Sequence, residues 1–284
     1  MLTLRPMTHA DIALGMRLSA IAGWNQAAAD WEMLLAASAG GSWVALWDGT
    51  PAGTVTTVTY QQRFGWVGMV LVAPSFRRKG IGTALLNAAV AHASAAGTVR
   101  LDATPEGEQL YTKLGFHPEH RLIRMHRPST PQETAQVSAP QNLPGNSPLV
   151  SPGFVTYDAP IFGADRGSIL HALQRRAAQY ARVINAQNRI AGYCLGRSGC
   201  HFEHIGPIVA DALPAARALL RAALAQCPCR PVIVDTFVQQ HEWIQFLESL
   251  GFAQQRTFTR MVLGEHRYPG QPDKQFATAG PEVG

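Results

Sequence analysis

The sequence predicts an α/β protein made of two similar units, each a mixed central β-sheet flanked by helices. Three observations lead there. Strand-like alternation and helical periodicity follow one another along most of the 284 residues, the pattern of α/β units. That length suits two domains, each able to bury its own core. The order of segments in the first half also returns in the second.

In the first unit, residues 2–7 (LTLRPM) read as a strand, 9–22 as a helix and 30–38 as a second helix. Residues 42–61 alternate as two strands about a turn at Asp48-Gly49, a dipeptide that accepts positive φ. A buried strand follows at 66–74, then a helix at 82–97, a strand at 99–104 and a short helix at 106–116. The second unit repeats this with a helix at 169–184, strands at 190–197 and 201–210, a helix at 213–226, a strand at 230–237 and a helix at 241–252. WVGMVLV (66–72) matches HIGPIVA (204–210), VRLDAT matches VIVDTF, and LYTKLGF (110–116) matches FLESLGF (246–252), so Asp102 falls on Asp235. The units are expected at 1–128 and 153–267. A Pro- and Ser-rich linker joins them at 129–152, and a flexible tail follows at 268–284.

Composition narrows the function. The net charge of +5 is spread over both units, which favours a small anionic ligand and argues against a nucleic-acid partner. Residues 1–15 lack the apolar core of a signal peptide, and no apolar run reaches the ~20 residues that span a bilayer. A cytoplasmic protein without a membrane partner is expected. The four cysteines, at 194, 200, 227 and 229, do not have zinc-site spacing, so no metal is expected and the thiols are read as reduced. Nothing in the sequence sets an oligomeric state.

RRKGIGTALL (77–86) is the most informative stretch. A strand ending at Val72 runs through a short loop into a glycine-rich helix start. Glycines allow close backbone approach, first-turn amides point outward, and the positive end of the helix dipole favours an anion. Arg77, Arg78 and Lys79 add charge, and a pyrophosphate is the expected guest. The lysine is not in a P-loop pattern, and the glycines do not form the dinucleotide fingerprint.

The pattern R-x-x-G-x-G after MVLVAP, with RLDAT and the Tyr of LYTKLGF downstream, resembles the coenzyme A site of the GNAT superfamily of N-acetyltransferases. The resemblance covers residues 2–127. The whole layout resembles the tandem, YitH-like type with a diverged second GNAT domain. The resemblance implies acetyl-CoA as acyl donor, held by Leu71, Val72, Arg77, Arg78, Lys79, Gly80, Ile81, Gly82 and Thr83. It also implies a backbone N–H near Leu71 to stabilise the oxyanion and direct attack by a primary amine. Tyr111 is implied as the general acid that protonates the departing thiolate.

The acceptor is expected to be a small-molecule amine. It would be recognised by the loop after the first helix, where Trp24 and Asn25 offer a ring face and a two-way hydrogen bonder. Trp24 is equally readable as core beside Trp31, and Phe64 and Trp66 as core packing. Glu32, Asp102, His201, Glu203 and His204 are all chemically able to act as base. In the second unit, DALPAA (211–216) replaces the glycine motif, Pro207 replaces Met69 and Leu247 replaces Tyr111, so that copy is not expected to catalyse. Two other readings stay open at this point: a non-catalytic acyl-CoA sensor, and an acetyltransferase acting on protein lysines or N-termini.

Overall fold

The computed structural model describes residues 1–38, 40–129, 147–148, 153–227 and 229–284, and most of the expected linker lies outside them. The chain forms two compact units. The first contains Met1–Glu119, Arg260–Tyr268 and Pro281–Gly284; the second contains His120–Thr259 and Pro269–Gly280.

The first unit opens with β1 (Leu2–Pro6), α1 (Ile12–Ile21), α2 (Ala28–Ala37), β2 (Trp43–Trp47) and β3 (Thr50–Tyr60). Positive φ at Asp48 and Gly49 makes the expected hairpin turn. β4 (Phe64–Val72), α3 (Ile81–Ala93), β5 (Thr98–Ala103) and α4 (Pro105–Lys113) follow. Thr104 caps α4 by accepting from the Gly107 amide, and Pro105 occupies the first turn, where no donor is needed. Strands run in the order β1-β2-β3-β4-β5, antiparallel up to β4 and parallel from β4 to β5.

α3 presses Ile81, Leu85, Leu86 and Ala89 onto Val55, Val67, Val99 and Leu101 of the sheet. Each large aliphatic side chain buried this way contributes about 1.5–3 kcal/mol. Trp31 of α2 is fully buried and packs where Gly15 of α1 has no side chain; a Cβ there would lie 2.7 Å from the indole.

The second unit takes in β6 (His117–Arg127) from His120 onward, and contains β7 (Ser147–Pro148), α5 (Phe154–Phe162), α6 (Gly167–Arg176), β8 (Arg182–Ala186), β9 (Arg189–Ser198), β10 (Glu203–Ala210), α7 (Leu213–Leu224), β11 (Val232–Phe237) and α8 (His241–Ser249). Its strands run β6-β11-β10-β9-β8-β7. α7 and α8 cover them with Leu219, Leu220, Trp243, Phe246 and Leu247. The helix expected over 169–184 stops at Arg176, and 182–186 are strand β8 instead. Val183 is buried while Ile184 is partly exposed, so the apolar pair that suggested a helix is a two-sided strand.

β12 (Ala253–Gly264) begins in the second unit, and its last residues, from Arg260, belong to the first, where β12 lies beside β5. The exchange is reciprocal. Arg260 grips Asp102 of the first unit at 2.8 and 3.0 Å, and Arg124 of β6 grips Asp235 of the second at 2.7 and 2.7 Å. Both carboxylates are almost completely buried. Burial opposes ionisation of Asp235, but the charge and hydrogen bonds of Arg124 outweigh it and hold the carboxyl below its usual range. The repeated aspartates are therefore structural counter-ions, and Asp102 is not available as a catalytic base.

The segment from 268 onward, expected to fray, is built into the protein. The buried guanidinium of Arg100 donates to the Tyr268 carbonyl at 2.8 Å. β13 (Gln275–Ala277) pairs with β10, and residues 281–284 pack into the first unit.

Candidate functional site

In the first unit, β4 and β5 pair only at Gly65–Val99 and Trp66–Arg100, so the strands part beyond Trp66. A bulge lies at the same place. The β3–β4 register slips between Thr54 and Thr56, and Met69 takes φ +52°. The Thr54 hydroxyl donates to the Met69 carbonyl at 3.1 Å and helps hold that conformation. An extra residue in a strand turns its edge and re-aims the groups that follow.

The bulge also decides which amides face the gap. Ala73 donates to the Ala52 carbonyl and Leu71 pairs with Thr54, so the backbone groups of Leu71 serve the β3 ladder. By the two-residue period of a strand, the open edge belongs to Val72 and Val70. Arg77 Nε reaches the Val72 carbonyl from that side at 3.3 Å. The backbone of Leu71, expected at the open edge, therefore faces β3. The edge position of Val70 was not foreseen, because one inserted residue changes the phase of alternation without leaving a mark in composition.

Past Val72 the chain turns through a short helical turn (Pro74–Phe76) and reaches Gly80, whose φ of +77° places it in the left-handed region as the cap of α3. The first intrahelical bond runs from Ala84 to Gly80, so the amides of Ile81, Gly82 and Thr83 have no partner within the helix. A cleft of about 230 Å³ opens before them, lined by Val72, Phe76, Arg77, Arg78, Gly80, Ile81, Gly82, Thr83 and Leu110. A Cβ on Gly82 would touch Leu110 at 3.6 Å and Val72 at 3.8 Å, filling the cradle. Exposed Arg77 and Arg78 stand at the rim. Lys79 does not line the cleft; its ammonium lies 4.8 Å from the Trp47 ring centre and 5.4 Å from that of Phe76. Phe76 and Leu110 were not foreseen, since apolar residues near a glycine loop look like ordinary core.

Tyr111 follows Leu110 on α4. Its ring is half-buried, lies edge-on to Phe116 at 6.1 Å, and crosses Gly107, where a Cβ would come within 2.9 Å of it. Among the described residues its hydroxyl has no hydrogen-bond partner. Burial pushes the phenol up to about 12, so it carries its proton throughout the neutral range.

The remaining nominated residues separate. Trp24 and Asn25 lie in the α1–α2 loop, Trp24 partly exposed and Asn25 buried, while Glu32 is exposed on α2. Trp66 and Phe64 are core, as expected, with the Trp66 indole donating to Pro281. His201 and Glu203 belong to the second unit, and Glu203 is not free. It is buried and accepts from Tyr180 at 3.0 Å, Ser198 at 2.7 Å and Arg230 at 2.8 Å. His204 is fully buried, which drives its pKa well down, with neighbouring Arg197 adding to the effect. Among the described residues, no group of three or more His, Cys, Asp or Glu side chains is arranged to hold a metal, and no helix is long and apolar enough to cross a membrane.

The first unit thus combines a splayed parallel strand pair, a bulged central strand and a glycine-capped helix facing a cleft rimmed by arginines. Comparison with known proteins specifies the class. The acetyltransferase (GNAT) family description matches residues 17–116, and a second acetyltransferase (GNAT) domain description matches 154–277. The chain belongs to the GNAT acetyltransferases and carries two GNAT domains in tandem.

Among relatives, it is 26% identical to the holothin acyltransferase of Pseudoalteromonas sp. (strain SANK 73390), over 92% of this chain and 87% of that protein. It is also 26% identical to the uncharacterized N-acetyltransferase YitH of Bacillus subtilis (strain 168), over 62% of each chain. A crystal structure from Pyrococcus horikoshii shares the fold with a TM-score of 0.83 at 23% identity, covering 100% of this chain and 96% of that one.

Proposed function

We propose that the protein transfers an acetyl group from acetyl-CoA to a primary amine of a small molecule, with the reaction confined to the first unit. The observation that carries this is the continuous path from the α3 cradle along the free edge of β4. Pyrophosphate fits the amides of Ile81, Gly82 and Thr83 with Arg77 and Arg78 around it. The pantetheine arm then lies as an added strand against the Val72 and Val70 edge, and its thioester carbonyl receives a backbone N–H at the bulge. The amine attacks directly. Attack forms the C–N bond and makes the carbonyl carbon tetrahedral, and the extra proton on nitrogen passes to water. Collapse then breaks the C–S bond as Tyr111 gives its proton to the sulfur, and the phenolate is reprotonated from solvent.

Burial keeps the phenol protonated through the neutral range, so it has a proton to give. Because the same burial weakens it as an acid, the transfer depends on its placement beside the departing sulfur. Membership of a family that acylates amines supports the reaction type, and the relative named for holothin supports a small acceptor. The second unit is then a diverged GNAT domain without a reaction of its own.

The test is thiol release from acetyl-CoA over a panel of amino acids, amino sugars, polyamines, aminoglycosides and lysine peptides, with Tyr111→Phe alongside. Turnover by one small-amine class, reduced about 10²-fold in the variant with unchanged acetyl-CoA affinity, is the expected result. Binding of acetyl-CoA without release for any amine would favour a sensor, and release with peptides alone would favour a protein acceptor.

A further inference from the structure

The segment Pro281–Gly284 lies against β4 at the point where an acceptor must approach. If the acyl arm runs up the free edge of β4 and ends at the Met69 bulge, the next position along the strand is Gly68. The backbone of Glu282 crosses it, and a Cβ on Gly68 would sit 2.9 Å from Glu282 Cα and 2.9 Å from its carbonyl oxygen. The segment is pinned on both sides of that crossing. Trp66 Nε1 donates to the Pro281 carbonyl at 2.9 Å, and the Tyr60 hydroxyl donates to the Val283 carbonyl at 2.8 Å. From this position the Glu282 carboxylate accepts from Gln26 Nε2 at 3.1 Å. Gln26 follows Trp24 and Asn25 in the α1–α2 loop, and both ends of the contact are buried.

We infer that Pro281–Gly284 is the positioning element of the acceptor site, with Glu282 tethering the α1–α2 loop over the thioester end of β4. The inference rests on the acyl-transfer reading above. A loop held by a charged hydrogen bond keeps one geometry where a free loop would sample many. Acceptor fit is set by how firmly Glu282 holds Gln26, and cofactor binding at the α3 cradle is independent of it.

Hydrogen–deuterium exchange and steady-state kinetics of Glu282→Ala test this on the full chain. Losing one charge-assisted bond is expected to speed exchange of amides 22–27 about tenfold and raise acceptor KM by a similar factor. Acetyl-CoA affinity and kcat should stay within about twofold. Glu282→Gln keeps a carbonyl oxygen for Gln26 and should restore most of the loss. Gly68→Ala, which pushes the segment off β4, should reproduce it. Unchanged exchange at 22–27 would overturn the tether, and faster exchange with unaltered acceptor KM would overturn its role in acceptor fit. Absence of transfer by the unmodified chain would instead remove the underlying reading, while the exchange data would still decide the tether.

Discussion

The two units hold the same gap and use it differently. In the first, β4 and β5 separate after Trp66–Arg100; in the second, β10 and β11 separate after the equivalent pair, His204–Ile233. Both central strands are bulged just beyond, at Met69 in one and between Ile205 and Ile208 in the other, where Pro207 stands. In the first unit, no strand among the described residues pairs with the β5-facing edge of Val70–Val72. In the second, β13 fills the gap: Ala277 pairs with Ile208 and Gln275 with Val209, and Thr278 donates to the Asp235 carbonyl. Where the proposed cofactor arm adds as a strand in the first unit, the second unit carries a strand of the chain itself. The cradle has gone as well. Asp211 accepts from the Tyr157 hydroxyl and Lys274, Pro214 stands in the first turn of α7, and Leu247 has no proton to give. The comparison separates what the fold needs from what the proposed reaction needs, because splay and bulge survive in a unit that lacks the glycines and the tyrosine.

The largest effects should come from the shared framework. Arg260→Ala and Arg124→Ala each remove the two-pronged guanidinium partner of a buried aspartate, at about 3–5 kcal/mol. Urea unfolding should show comparable losses for both, and a much smaller loss for one would mean its carboxylate finds another partner. Next comes the cradle. Gly82→Asp places bulk and negative charge among Val72, Leu110 and the helix amides, and should weaken acetyl-CoA binding at least about a hundredfold, or roughly 3 kcal/mol. Ala215→Asp, at the corresponding end of α7, should leave binding unchanged. The smallest effect is assigned to Lys79. Its ammonium rests on Trp47 and Phe76, an interaction of about 0.5–1 kcal/mol, so Lys79→Ala should change affinity less than about threefold. A tenfold loss would mean the lysine turns to the phosphate on binding.

Much of this difference could be read from sequence, because its signals are local. Gly80 and Gly82, the arginines before them and Tyr111 stand in one short pattern, and their replacement by DALPAA and Leu247 is equally visible. What escaped depends on residues far apart. β6 and β12 went unread because their alternation carries Arg124, Arg260 and His126 where apolar residues would signal a strand. Each buried arginine makes sense only beside an aspartate more than a hundred positions away. Residues 268–284 looked like a tail because their composition is that of a loop. Their burial is decided by Gly206 and Gly68, where missing side chains let the chain cross at contact distance. Leu71 and Val72 were both expected at the open edge; the bulge leaves Val72 there and turns the backbone of Leu71 toward β3.

The most direct test is the stoichiometry of acetyl-CoA binding by calorimetry on the full chain, with Gly82→Asp as the paired variant. One open gap and one filled gap predict a single site per chain, lost in the variant. Two sites, or one site that survives Gly82→Asp, would contradict the account by putting the cofactor in the second unit.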